Sequence, residues 1–79
     1  MFKPNPKKQV ELKFVELFGR DYKVKVEGAR AAGRTGRYST HLIVNGETVA
    51  SAMHADWRMA YKLLKLEVEK LFSEGVQLV

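Results

Sequence analysis

Three arginines, Arg30, Arg34 and Arg37, stand in a stretch punctuated by Gly28, Gly33 and Gly36 that reads GARAAGRTGR. A guanidinium grips phosphate oxygens through a planar fork of N–H donors, and glycine lets a backbone come close to an anion. The combination suits contact with a nucleic-acid groove; the alternative is a solvated hairpin loop whose arginines touch only water. A second group follows in His54, Arg58 and Lys62, the last two one helical turn apart. A helix beginning just before Arg58 would add its free N–H groups and its dipole to the attraction for phosphate. The competing reading is a solvated helix face. His54 and Asp56 form a possible metal-ligand pair, but His41 is the only other histidine and cysteine is absent, so a third ligand is missing. No Ser-His-Asp spacing, paired carboxylates or Gly-Lys-Ser/Thr phosphate loop occurs, so a non-catalytic role without metal or cofactor is expected.

The bulk numbers set bounds on this chemistry. Seventy-nine residues make one domain with one small core and no room for a deep cleft beside it. The net charge of +5 favours an anionic partner, most often nucleic acid. An apolar share of 46% with 29% charged residues is that of a folded domain. With no cysteine, a disulfide framework is excluded and a reducing compartment such as the cytoplasm fits. No apolar run is long enough to span a membrane and no signal-peptide pattern opens the chain, so a cytoplasmic protein is expected.

The elements that must position these groups are legible from periodicity. Residues 1–6 form a basic, proline-containing arm, 7–73 the folded core and 74–79 a short apolar tail. Between Lys7 and Phe18, Val10, Phe14, Leu17 and Phe18 recur as one face of a helix, although Val10, Leu12 and Phe14 also alternate as in a strand. Helix is the preferred reading, because Asn5-Pro6 supplies a start signal and Gly19 a stop. Asp21 to Glu27 alternates as a half-buried strand, and Gly28 to Gly36 reads as a loop. Arg37–Val44 and Glu47–Met53 then alternate on either side of Asn45-Gly46, the strongest short hairpin signal because a type I′ turn needs positive φ at both central residues. Asp56 is the expected cap of a last helix whose apolar face is Trp57, Ala60, Tyr61, Leu64, Val68, Leu71 and Phe72. Trp57 and Tyr61, one turn apart, are expected to pack on the sheet or on each other. The fold class is therefore α+β, α-β-β-β-α, with two helices on one face of a three-stranded antiparallel sheet.

This order and the residues of the second half resemble the double-stranded-RNA-binding domain over nearly the whole chain, from Asn5-Pro6 to Leu71 or Phe72. RYSTHLIVNGETVASA is similar to that family's FxVxVxVxGxxVAxG hairpin, and DWRMAYKLLK occupies the place of its SKKxAKxxAA signature, with Ala60 on the signature alanine. Tyr22 matches the tyrosine of the family's first strand. The resemblance implies sequence-independent binding of duplex RNA, the start of the last helix meeting major-groove phosphates while the first helix and first loop touch the flanking minor grooves. By position it implicates Arg58 at the helix start and Lys13 on the first helix; Lys62 is adjacent to a signature position, His54 precedes the helix, and Arg30, Arg34 and Arg37 stand on the loop. The chain departs from the pattern where Trp57 and Tyr61 stand in place of two signature lysines, and where the loop lacks the Gly-Pro-x-His element.

A different class of function is also open. Met59 and Leu66 fall nearly opposite the apolar face of the last helix, and with Val76, Leu78 and Val79 they offer a patch for a homodimer or a protein partner. Single exposed apolar residues are also common on ordinary surfaces.

Overall fold

The first helix, α1 (Pro6–Phe18), starts where Asn5 caps it: the Asn5 Oδ1 accepts the Lys8 N–H at 2.7 Å, and Pro6 takes the first position, where its missing N–H costs nothing. The computed structural model describes residues 5–30 and 36–78, so Arg34, Val79 and the first four residues lie outside the described residues. Val10 and Phe14 point inward and are fully buried, as helical spacing requires; Leu12, which a strand would place beside them, faces solvent. Gly19 closes the helix at φ 92°, with its N–H on the Val15 carbonyl.

Strand β1 (Val24–Arg30) begins later than its alternation suggested and runs through Gly28, Ala29 and Arg30, which the sequence reading had assigned to the loop. Gly28 pairs with Thr40, Ala29 with Ser39 and Arg30 with Tyr38 of β2 (Tyr38–Val44). Here glycine marks a close approach rather than a turn. A Cβ on Gly28 would collide with the Tyr61 hydroxyl and lie 2.6 Å from the Tyr38 hydroxyl. The hairpin to β3 (Glu47–His54) is the expected one, with φ 52° at Asn45 and 84° at Gly46. Asn45 also exchanges two hydrogen bonds with the Lys23 backbone, which pins the turn to the entrance of β1. Leu42 faces Ala50 while Ile43 faces Thr48, so Val49 is the extra residue of a β-bulge.

The second helix, α2 (Trp57–Ser73), is capped by Asp56, whose carboxylate accepts the Arg58 N–H at 2.9 Å. It ends in a Schellman motif: Gly75, at φ 69°, donates to the Phe72 carbonyl and Val76 donates to that of Leu71. The turn sends the tail back onto the body, and Leu78 packs against the core. Leu78 is thus half-buried against the core and apart from Met59 and Leu66, with which a patch was expected.

Strand order is β1-β2-β3, both neighbours antiparallel, with α1 and α2 side by side on one face. The core lies between the layers, built from Val10 and Phe14 of α1, Val26, Leu42 and Val44 of the sheet, and Tyr61, Leu64 and Val68 of α2. The helices run in the same direction, since Phe18 meets Phe72 at 5.5 Å near their ends and Pro6 and Gln9 lie beside Arg58 and Lys62 near their starts. Thr40 is the single buried polar side chain among the described residues, its hydroxyl 3.1 Å from both the Ala52 and Ala60 carbonyls. One proton shared between those oxygens ties the first turn of α2 to β3, a link contributing about 1 kcal/mol. Both helix starts are thereby held at the end of the sheet where β1 and β3 finish.

Candidate nucleic-acid interface

The N-terminal half of α2 concentrates positive charge. Arg58, Lys62 and Lys65 fall at i, i+4 and i+7, and no acidic residue occurs in the helix before Glu67. None of the three makes an ion pair among the described residues. Other cations share that condition, Arg20 and Lys23 among them, but among the described residues only α2 carries three on one stripe. Arg58, in the first turn, works against the helix dipole at about 0.3–1 kcal/mol, and the like charges of Arg58, Lys62 and Lys65 one turn apart cost ~0.2–0.5 kcal/mol per pair. Cations held there at the expense of helix stability suit an anionic partner better than a purely structural role.

The neighbours of this stripe are ordered. The Arg58 guanidinium lies 5.5 Å from the centre of the Trp57 ring, and Trp57, 39% exposed, meets Tyr61 edge-on at 6.3 Å. Trp57 and Tyr61 do pack on each other, and Tyr61 continues into the core. His54 Nδ1 accepts the Asp56 N–H at 2.9 Å, which fixes the ring beside the cap of α2 and leaves Nε2 as the nitrogen not engaged in that bond. Arg30, Tyr38 and His54 are register partners in one row across the three strands, at the sheet end where α2 begins. Arg30 donates to the Gly36 carbonyl at 2.9 Å, which draws the two ends of the β1–β2 connection together, and Arg37 is exposed beside it.

The Tyr38 and Tyr61 hydroxyls are 3.2 Å apart above Gly28 and link this row to α2. Burial, and then the Tyr38 contact, push the Tyr61 phenol up to about 12 from its usual 10.0. Because the folded value is the higher one, the neutral phenol supports folding fully below pH 10 and the support is lost as pH rises toward about 12. Unfolding by urea at stepped pH is expected to show stability falling across that window, and Tyr61→Phe should flatten the fall.

Of the residues singled out from the sequence, the structure brings Arg58 and Lys62 together on one groove, with His54, Arg30 and Arg37 at the end of the sheet where α2 begins. Lys13 stands apart. Its ammonium is half-buried between Glu16 at 3.1 Å and Glu69 of α2 at 3.8 Å, a bridge that clamps the helices and neutralises its charge. Lys65, which the sequence did not single out, shares a groove of about 340 Å³ with Arg58, Lys62, Tyr61, Val10, Gln9 and Pro6. Its i+7 spacing from Arg58 was the available signal; the groove appears only once α1 is laid alongside. His41 pairs with Glu27 and Ser51 on the face of the sheet opposite His54, so the two histidines do not meet. No group of three potential metal ligands occurs among the described residues. Met59 and Leu66, 36% and 52% exposed, lie on the outer side of α2, and no described helix is long and apolar enough to cross a membrane. Compared with models of known families, with curated proteins and with solved structures, the chain matches none.

Proposed function

We propose that this chain is a non-catalytic module that binds double-stranded RNA without reading its sequence. The observation that carries the reading is the stripe of Arg58, Lys62 and Lys65 along the N-terminal half of α2, without an ion-pair partner among the described residues. A rigid row of cations suits a regular row of phosphates, and an A-form duplex is recognised by shape, phosphates and 2′-hydroxyls rather than by base edges. His54 and the Arg30/Arg37 end of the sheet flank that stripe, in the arrangement implied by the likeness to the double-stranded-RNA-binding domain. Trp57 and Tyr61 hold two positions that are lysines in that family; in this chain Arg58 keeps the charge of the second signature lysine and Lys62 supplies one a residue beyond Tyr61. Lys13 serves the α1–α2 bridge first, and the proposal assigns it no phosphate contact. The salt dependence of binding tests the reading. Roughly four phosphate contacts should give a slope of log K against log salt near −3 to −4, at about 0.9 per phosphate. A slope near zero would remove the electrostatic basis of the proposal.

A second reading, docking of a protein or of a second copy, draws on Met59 and Leu66, whose exposure on the outer face of α2 the core does not require. It expects a dimer in sedimentation that becomes monomeric in Met59→Glu/Leu66→Glu. A wild-type monomer at high concentration excludes the self-association form of this reading.

A further inference from the structure

The groove between α1 and α2 has a composition that duplex contact alone does not explain. Its floor is Val10 and Tyr61, 1% and 5% exposed, and Tyr61 stays protonated across the physiological range. Arg58, Lys62 and Lys65 supply one wall, and Pro6 with Gln9 of α1 the other. The cations span ~10 Å along the helix axis, since each residue adds about 1.5 Å. A volume of about 340 Å³ holds roughly ten waters at ~30 Å³ each, more than one phosphate group requires. Three charges facing one concavity with no carboxylate among the lining residues match an anion of several closely linked charges better than a diester backbone carrying one charge per nucleotide.

We infer that this groove is a binding site for a compact oligophosphate, with Arg58, Lys62 and Lys65 as its cationic ligands. All three cations line the groove and all three belong to the duplex-binding stripe, so the two sites are separated by the anion that binds, a compact oligophosphate here and a duplex backbone there. The inference rests on the same unpartnered cations as the duplex-binding reading but does not require a duplex. The chemistry has two sources, a free oligophosphate or the 5′-terminal triphosphate of an RNA.

Trp57, the chain's one tryptophan, sits beside Arg58 and reports occupancy by its fluorescence. The probe is inorganic tripolyphosphate, titrated against sulfate at matched ionic strength. Saturation by tripolyphosphate at concentrations at least tenfold below sulfate is expected, with Lys65→Gln weakening it at least fivefold and Lys65→Arg restoring it. Lys23→Gln, far from the groove, should bind as wild type does. Equal responses to the two anions, or equal loss in Lys65→Gln and Lys23→Gln, would overturn the site. A second arm compares RNA duplexes carrying a 5′-triphosphate or a 5′-hydroxyl. A Lys65-dependent preference for the triphosphate assigns the groove to RNA ends, and no preference alongside tight tripolyphosphate binding assigns it to the free anion. Failure of duplex binding with tripolyphosphate binding intact would sink the duplex reading alone.

Discussion

Arg58→Glu is expected to lower affinity for a two-turn RNA duplex at least tenfold, about 1.4 kcal/mol, without loss of fold. The side chain is exposed and outside the core, and it lies over the Trp57 ring with no ion-pair partner among the described residues, so its replacement leaves no buried cavity and no orphaned charge. The new carboxylate also favours the helix dipole, so stability should hold or rise slightly. Loss of binding together with equal or higher thermal stability separates a contact residue from a structural one. Repeating the titration at several salt concentrations should show a shallower slope for the variant, because fewer counterions are released. An unchanged affinity would remove Arg58 from the interface and leave the stripe without its first member.

Gly28→Ala should produce the largest stability loss of any single methyl addition in the described chain. The new Cβ would sit on the Tyr61 hydroxyl, 2.6 Å from the Tyr38 hydroxyl and 2.7 Å from the Tyr38 ring, and both tyrosines are held by packing on several sides. Overpacking of this kind costs about 2 kcal/mol, enough to lower Tm by roughly 10 °C in a domain of this size. Tyr61→Phe removes the nearest obstacle, so the double variant Gly28→Ala/Tyr61→Phe should recover part of the loss. Recovery would be incomplete because Tyr38 remains. Strict additivity of the two changes, measured by urea unfolding, would show that the tyrosine pair does not occupy the space above Gly28.

Local signals in the sequence were read well where the chemistry of one residue decides the geometry. Asn45-Gly46 made the type I′ turn because only such residues tolerate positive φ at both positions, and Asn5 and Asp56 capped their helices because their short side chains reach the free N–H groups. The ambiguous 8–18 segment resolved as helix once burial favoured Phe14 beside Val10 over Leu12. The errors arise where a distant partner decides. Gly28 looked like loop punctuation, and nothing near it in sequence announces the two tyrosines that require it to lie flat in a strand. Lys13 looked available, yet Glu69, fifty-six residues away, holds it. Leu78 looked free until Gly75 turned the tail back. The candidate site divides in the same way. The spacing of Arg58 and Lys62 was visible, whereas the part played by Lys65 depends on α1 forming the opposite wall.

The most direct test of the account is fluorescence anisotropy of the purified protein against a labelled RNA duplex of about two turns, with the matching DNA duplex and a single-stranded RNA as controls. A duplex of that length covers the ~16 base pairs that a domain of this kind spans. The account predicts tight binding to the RNA duplex, at least tenfold weaker binding to the other two, and a preference that persists at physiological salt. Equal, weak binding to all three that vanishes as salt is raised would contradict it, leaving the charge of α2 as a generic attraction for polyanions.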